Sequence, residues 1–133
     1  MDSMRVIPAY VHGIWDYLGG IALLLAPNLF GFADEGGEAV WIPRILGIAV
    51  LAMALLTDYR PGLLKVIPLS AHLLIDVLAG AFLALSPFIF GFSDEDANVW
   101  LPHLVVGIAI VVVALLTQTR TETEPATAQS IPR

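Results

Sequence analysis

Four long apolar runs divide the chain: GGIALLLAPNLFGF, ILGIAVLAMALLT, LAGAFLALSPFIFGF and LVVGIAIVVVALLT. With their flanks, each approaches the roughly 20 residues that carry an α-helix across a bilayer. The pattern predicts four transmembrane helices, at about 10 to 29, 42 to 58, 69 to 89 and 101 to 118. A soluble four-stranded sheet is the competing reading of short apolar runs. These runs are too long and too rich in alanine and leucine for it.

Shifted by sixty residues, the chain overlays itself. His12 meets His72, Asp16 meets Asp76, Gly20 meets Gly80 and Pro27 meets Pro87. FGF at 30–32 meets FGF at 90–92, and Asp34 and Glu35 meet Asp94 and Glu95. After a one-residue slip, WIP at 41–43 meets WLP at 100–102, and GIA and ALLT then recur at 47–49 and 54–57 against 107–109 and 114–117. Each unit holds two helices, an even number, so both copies enter the membrane in the same direction. The expected fold is an all-α membrane protein: two parallel helical-hairpin repeats forming a pseudo-twofold bundle. Repeat 1 spans 10–58 and repeat 2 spans 69–118, joined by a cytoplasmic linker at 59–68 and followed by a disordered tail at 119–133.

Several repeated residues have structural uses. Pro43 and Pro102 follow a tryptophan and precede an apolar run, which predicts that they open helices two and four, where a missing N–H is harmless. Trp41 and Trp100 read as anchors in the headgroup layer. Pro27 and Pro87 deny the odd helices one backbone hydrogen bond near their outer ends. The helix should stop or kink there, with Gly31 and Gly91 taking a backbone conformation that a side chain opposes. Gly20 and Gly80, with nearby alanines, offer faces for close helix approach.

The duplicated hairpin has a small residue, proline and an aromatic near the end of its first helix, a Gly-aromatic turn, and a tryptophan opening the second. Over about residues 10 to 118 it resembles the bacterial SPW-repeat membrane proteins, named for a Ser-Pro-Trp motif. Here the motif reads Ser86-Pro87-Phe88 in the second copy and Ala26-Pro27-Asn28 in the first. The resemblance implies a small multi-pass membrane protein of undefined biochemical role, and it carries no activity with it.

Composition agrees with the runs. The chain has 133 residues, 58% hydrophobic and 14% charged, with mean hydropathy +0.84. Soluble domains are nearer 45–50% apolar and about 25% charged. The absence of cysteine excludes a disulfide framework, a thiolate metal site and a cysteine nucleophile. Helix one is not followed by an Ala-x-Ala-like cleavage site, and its repeat partner lies mid-chain, so it is expected to be retained and not removed as a signal peptide. Arg5, Arg60, Lys65, Arg120 and Arg133 lie toward one face and Arg44 alone toward the other. The positive-inside rule then places both termini and the middle linker in the cytoplasm of a cell-membrane protein. The outer loops ADEGGEAVW and SDEDANVW, with three acids each, carry much of the net charge of −6, which indicates no nucleic-acid surface.

The costly feature is the repeated pair in HGIWD and HLLID. Spaced by four, His12 and Asp16 share a helix face, as do His72 and Asp76. Asp16 should lie on the order of 9 Å along its helix, short of the membrane midplane. A carboxylate there needs a partner, water or a proton. Three uses are open: hydrogen bonding that pins the hairpins together, an ion or metal site made of both pairs, or a proton relay. Nothing polar appears between Ile21 and Ala26 or between Ala81 and Leu85, which weakens any transport path.

His103 stands in the slot of Arg44 and reads as an interfacial residue. Asp34, Glu35, Asp94, Glu95 and Asp96 lack the spacing of a calcium loop and read as solvated turns. No common catalytic motif occurs, and neither Ser70 nor Ser86 has an evident base. The expectation is a structural, accessory or interaction subunit, without enzymatic activity or cofactor. Its partners would be the lipid bilayer and another membrane protein or its own copies, but no nucleic acid.

Overall fold

The computed structural model describes residues 4–119. It contains four long helices: α1 (Ala9–Leu29), α2 (Gly37–Leu56), α3 (Leu69–Ile89) and α4 (Ala97–Leu116). All four are long and apolar enough to cross a membrane. No more than 44% of any span's most apolar stretch is buried inside the chain, so most of the apolar surface faces outward, as a lipid surrounding requires. Among the described residues there is no strand. Two isolated parallel bridges join Ile7 to Thr117 and Thr57 to Ile67. The tail expected from 119 onward lies outside the described residues beyond that first position.

The odd helices end as their sequence predicts. Gly31 and Gly91 adopt φ of +75° and +76°, and the next amides reach back to proline carbonyls, Phe32 N–H to Pro27 at 2.8 Å and Phe92 N–H to Pro87 at 2.9 Å. This is the Schellman closure, with glycine in the left-handed position that disfavours a Cβ. Pro87 also leaves the carbonyl four residues earlier, on Leu83, without its helical donor. The fully buried Ser86 hydroxyl donates to that carbonyl at 2.7 Å. Serine before proline thus repairs what proline removes. The first repeat has Ala26 there and lacks the repair.

The even helices begin earlier than predicted. Pro43 is the seventh residue of α2 and Pro102 the sixth of α4, so neither opens its helix. The helices extend back over 37–42 and 97–101, burying Ala39, Val40 and Val99. Pro43 strips the Ala39 carbonyl of its helical donor, and His103 of α4 supplies one instead, Nε2–H to Ala39 O at 2.9 Å. The proline therefore creates an acceptor between the two repeats.

Within each hairpin the helices meet at glycines. A Cβ on Gly47 would stand 2.6 Å from the Leu24 amide nitrogen and 2.7 Å from the Gly20 carbonyl. On Gly107 it would stand 2.4 Å from the Ala84 nitrogen and 2.6 Å from the Gly80 carbonyl. The backbones touch directly, the close approach that small residues permit in membranes. Contact between hairpins is thinner, chiefly α2 on α3, with less of α4 against α1 and α2. One apolar cluster, including Ala9, Ala54, Tyr59, Leu69 and Ala114, closes the end that holds the helix starts of α1 and α3. Another, with Phe32, Val40, Phe92 and Val99, closes the opposite end.

Candidate functional site

The repeated pairs converge. His12 and Asp16 are the fourth and eighth residues of α1, and His72 and Asp76 hold the same places in α3. All four are buried, at most 5% exposed. His12 Nε2 lies 3.1 Å from Asp16 Oδ1 and 2.9 Å from Asp76 Oδ2. His72 Nε2 lies 3.1 Å from Asp16 Oδ2 and 3.2 Å from Asp76 Oδ2. Each imidazole thus faces the carboxylates of both repeats. The two rings stand edge to face, 5.3 Å apart. One ligand atom from each residue can be chosen so that all four lie within 4.8 Å of one another.

Two threonines orient the imidazoles. The hydroxyls of Thr57 and Thr117 each donate to the carbonyl four residues earlier, Met53 and Val113, both at 2.6 Å. Their lone pairs are left to accept from His72 Nδ1–H at 2.6 Å and His12 Nδ1–H at 2.7 Å. The proton on Nδ1 follows from that network. Each threonine closes an even helix and serves the histidine of the other repeat. The bridges at Ile7 and Ile67 hold these chain ends in register.

Tyr59, fully buried between α2 and α3, donates its hydroxyl to Asp16 Oδ2 at 2.8 Å. Burial, with the Asp16 carboxylate beside it, pushes its phenol well above the ordinary tyrosine range. Among the described residues Asp76 has no such tyrosine donor, and Thr119 stands at the position sixty residues after Tyr59. Arg5 donates to the Thr117 carbonyl at 2.8 Å, placing a cation at the C-terminal end of α4, where the helix dipole favours it. Among the described residues His72 Nε2 has no hydrogen-bond partner: both nearby carboxylate oxygens lie off the ring's donor direction.

The other singled-out residues lie elsewhere. Gly20 and Gly80 serve packing one turn beyond Asp16 and Asp76, and Pro27, Pro87, Gly31 and Gly91 serve the helix ends, farther along the helices from the cluster. Trp41 is 58% exposed with the Arg44 guanidinium 6.0 Å over its ring, and Trp100 sits edge-on to Phe88 at 6.4 Å. His103 is buried between Phe32 and Phe92, not interfacial. The acidic turns at 34–35 and 94–96 are exposed.

Thr57, Thr117 and Tyr59 complete the site and were not picked out by reading the sequence. The threonines had a signal, since both end the repeated ALLT. So did the chain before each odd helix, where Arg5-Val6-Ile7-Pro8 recurs as Lys65-Val66-Ile67-Pro68. Tyr59 had none.

Four membrane-crossing helices in two similar hairpins, with one buried polar centre, define a small multi-pass membrane protein. The SPW repeat domain model matches residues 10–117, and the chain belongs to the SPW repeat family. No curated protein and no solved structure matches it.

Proposed function

We propose that this protein is a structural or accessory subunit of the cell membrane, acting by lateral contact with another membrane protein or with its own copies and not by catalysis. In this reading both repeats insert in the same direction, with the termini and the 59–68 linker cytoplasmic and the acidic turns outside. Arg5, Arg60 and Lys65 all lie at the end near the cluster, in keeping with the positive-inside rule. The observation that carries the reading is the buried His12–Asp76 and His72–Asp16 pairing across repeats. It ties together hairpins that otherwise meet thinly. The segments between helices are short, leaving no separate soluble unit among the described residues.

A native mass spectrum of the protein extracted in mild detergent from its own membrane tests this. A second polypeptide in fixed ratio, or a fixed number of copies, supports a subunit role. A lone chain under conditions that preserve known membrane complexes overturns it. A second reading, cation binding, is favoured by the convergence of both Nε2 atoms on the carboxylates. A proton relay has no such support, because the next layer of α1 and α3 is apolar.

A further inference from the structure

We infer that His12, Asp16, His72 and Asp76 form a site for one divalent transition-metal ion of the zinc class. The inference deepens the reading of the cluster as the tie between repeats, because the ion would take two ligands from each.

Three independent features point to it. First, the tautomer is set from outside. Thr57 and Thr117 hold the Nδ1 protons, so each Nε2 can present a lone pair inward. A metal-bound histidine characteristically has this second-sphere partner on its other nitrogen. Second, the donors are of the right kind and spacing. Two imidazole nitrogens and two carboxylates suit zinc, and ligands on a tetrahedron of about 2.0–2.1 Å bonds stand roughly 3.3 Å apart. With Asp16 Oδ1 and Asp76 Oδ2 as the carboxylate ligands, three edges measure 2.9, 3.1 and 3.2 Å, so those edges need open only slightly, and all four ligand atoms lie within 4.8 Å of one another. Third, the buried His72 Nε2 is aimed into the cluster without a hydrogen-bond partner, an unmet demand that a cation would satisfy.

Charge agrees. Two buried carboxylates require compensation, and one divalent ion supplies it while both imidazoles stay neutral. Tyr59 donates to Asp16 and leaves that carboxylate its other oxygen, Oδ1, for the ion. The polar groups facing the centre from neighbouring elements are Tyr59, Thr57 and Thr117, and Arg5 stands behind Thr117 on its carbonyl. Among these no cation reaches the carboxylates.

The test uses the full chain in detergent, stripped of metal and then equilibrated separately with Zn2+ and Co2+. One ion per chain is expected by elemental analysis, and the Co2+ form should show the intense visible bands of four-coordinate geometry. His72→Gln should lose the ion, while combined substitution of the exposed Asp94, Glu95 and Asp96 by amides should keep it. If His72→Gln does not fold, Thr57→Val serves in its place. It keeps all four ligands, loses the Nδ1 acceptor, and should weaken binding about 10- to 100-fold. No stoichiometric ion in the wild type, retention by His72→Gln, or unchanged affinity in Thr57→Val overturns the site. Failure here is distinct from failure of the structural reading. A metal-free protein still destabilised by Asp16→Asn keeps the tie and has no metal.

Discussion

His12 lies closer to Asp76 of the other repeat, at 2.9 Å, than to Asp16 on its own helix, at 3.1 Å. The pair four apart in sequence is therefore half of a cross-repeat arrangement and not a self-contained unit. Because the cluster is shared, substituting either repeat should be felt by both.

Breaking that arrangement from one side should be costly. Asp76→Asn leaves buried imidazoles short of one charge partner, and removing one member of a buried pair typically costs about 3–5 kcal/mol. A double-mutant cycle between His12 and Asp76, read by reversible unfolding in detergent, should give a coupling of about 1–3 kcal/mol. Strict additivity would show that the 2.9 Å contact contributes nothing.

The glycine contacts predict a sharp contrast. Gly107→Ala drives a methyl group onto backbone atoms of Ala84 and Gly80 and should destabilise the second hairpin by about 1–3 kcal/mol or more. Gly19→Ala, where a Cβ meets nothing within 4 Å, should be neutral or stabilising by up to about 1 kcal/mol, because alanine is the better helix former. Equal effects in thermal unfolding would contradict the backbone contact between α3 and α4.

Much of this architecture is legible in the sequence because hydrophobicity and repetition report directly on spans and copies. The spacing of His12 and Asp16 likewise reports that they share a face. Spacing does not say which face of another helix lies opposite, so the pairing of His12 with Asp76 and Thr117 waits on packing. Pro43 misleads for a physical reason: proline is favoured at a helix start, yet it is tolerated one turn later when another donor, here His103, takes the freed carbonyl. Tyr59 comes from an irregular link, where neither periodicity nor repetition carries a signal.

Ser86 and Ala26 offer a reciprocal test. Ser86→Ala leaves the Leu83 carbonyl beside Pro87 without its donor and should cost about 1–3 kcal/mol. Ala26→Ser adds the matching hydroxyl to the first repeat, where Leu23 is the corresponding residue, and should stabilise by about 0.5–1.5 kcal/mol. Comparing unfolding of the two variants with the parent decides it. Harmless loss at 86 together with no gain at 26 would remove the hydroxyl's proposed place beside proline.

Tyr59 predicts an alkaline weakness. Its phenol is held above the ordinary tyrosine value by burial and by the Asp16 carboxylate, so the folded chain keeps a proton that the unfolded chain releases above about pH 10. A group whose folded value is raised contributes stability that is complete below the unfolded value and falls as pH rises past it. Tyr59→Phe removes both the hydrogen bond to Asp16 and this linkage. At neutral pH it should cost about 1.5–3 kcal/mol, because the lost bond was made to a buried charged group. Above about pH 10 the gap between parent and variant should narrow, since only the parent loses stability through this residue. Unfolding measured from pH 7 to 11 checks the sign, and a gap that stays constant or widens with pH would show that the folded phenol ionises as readily as the unfolded one or more so, contrary to its burial against Asp16.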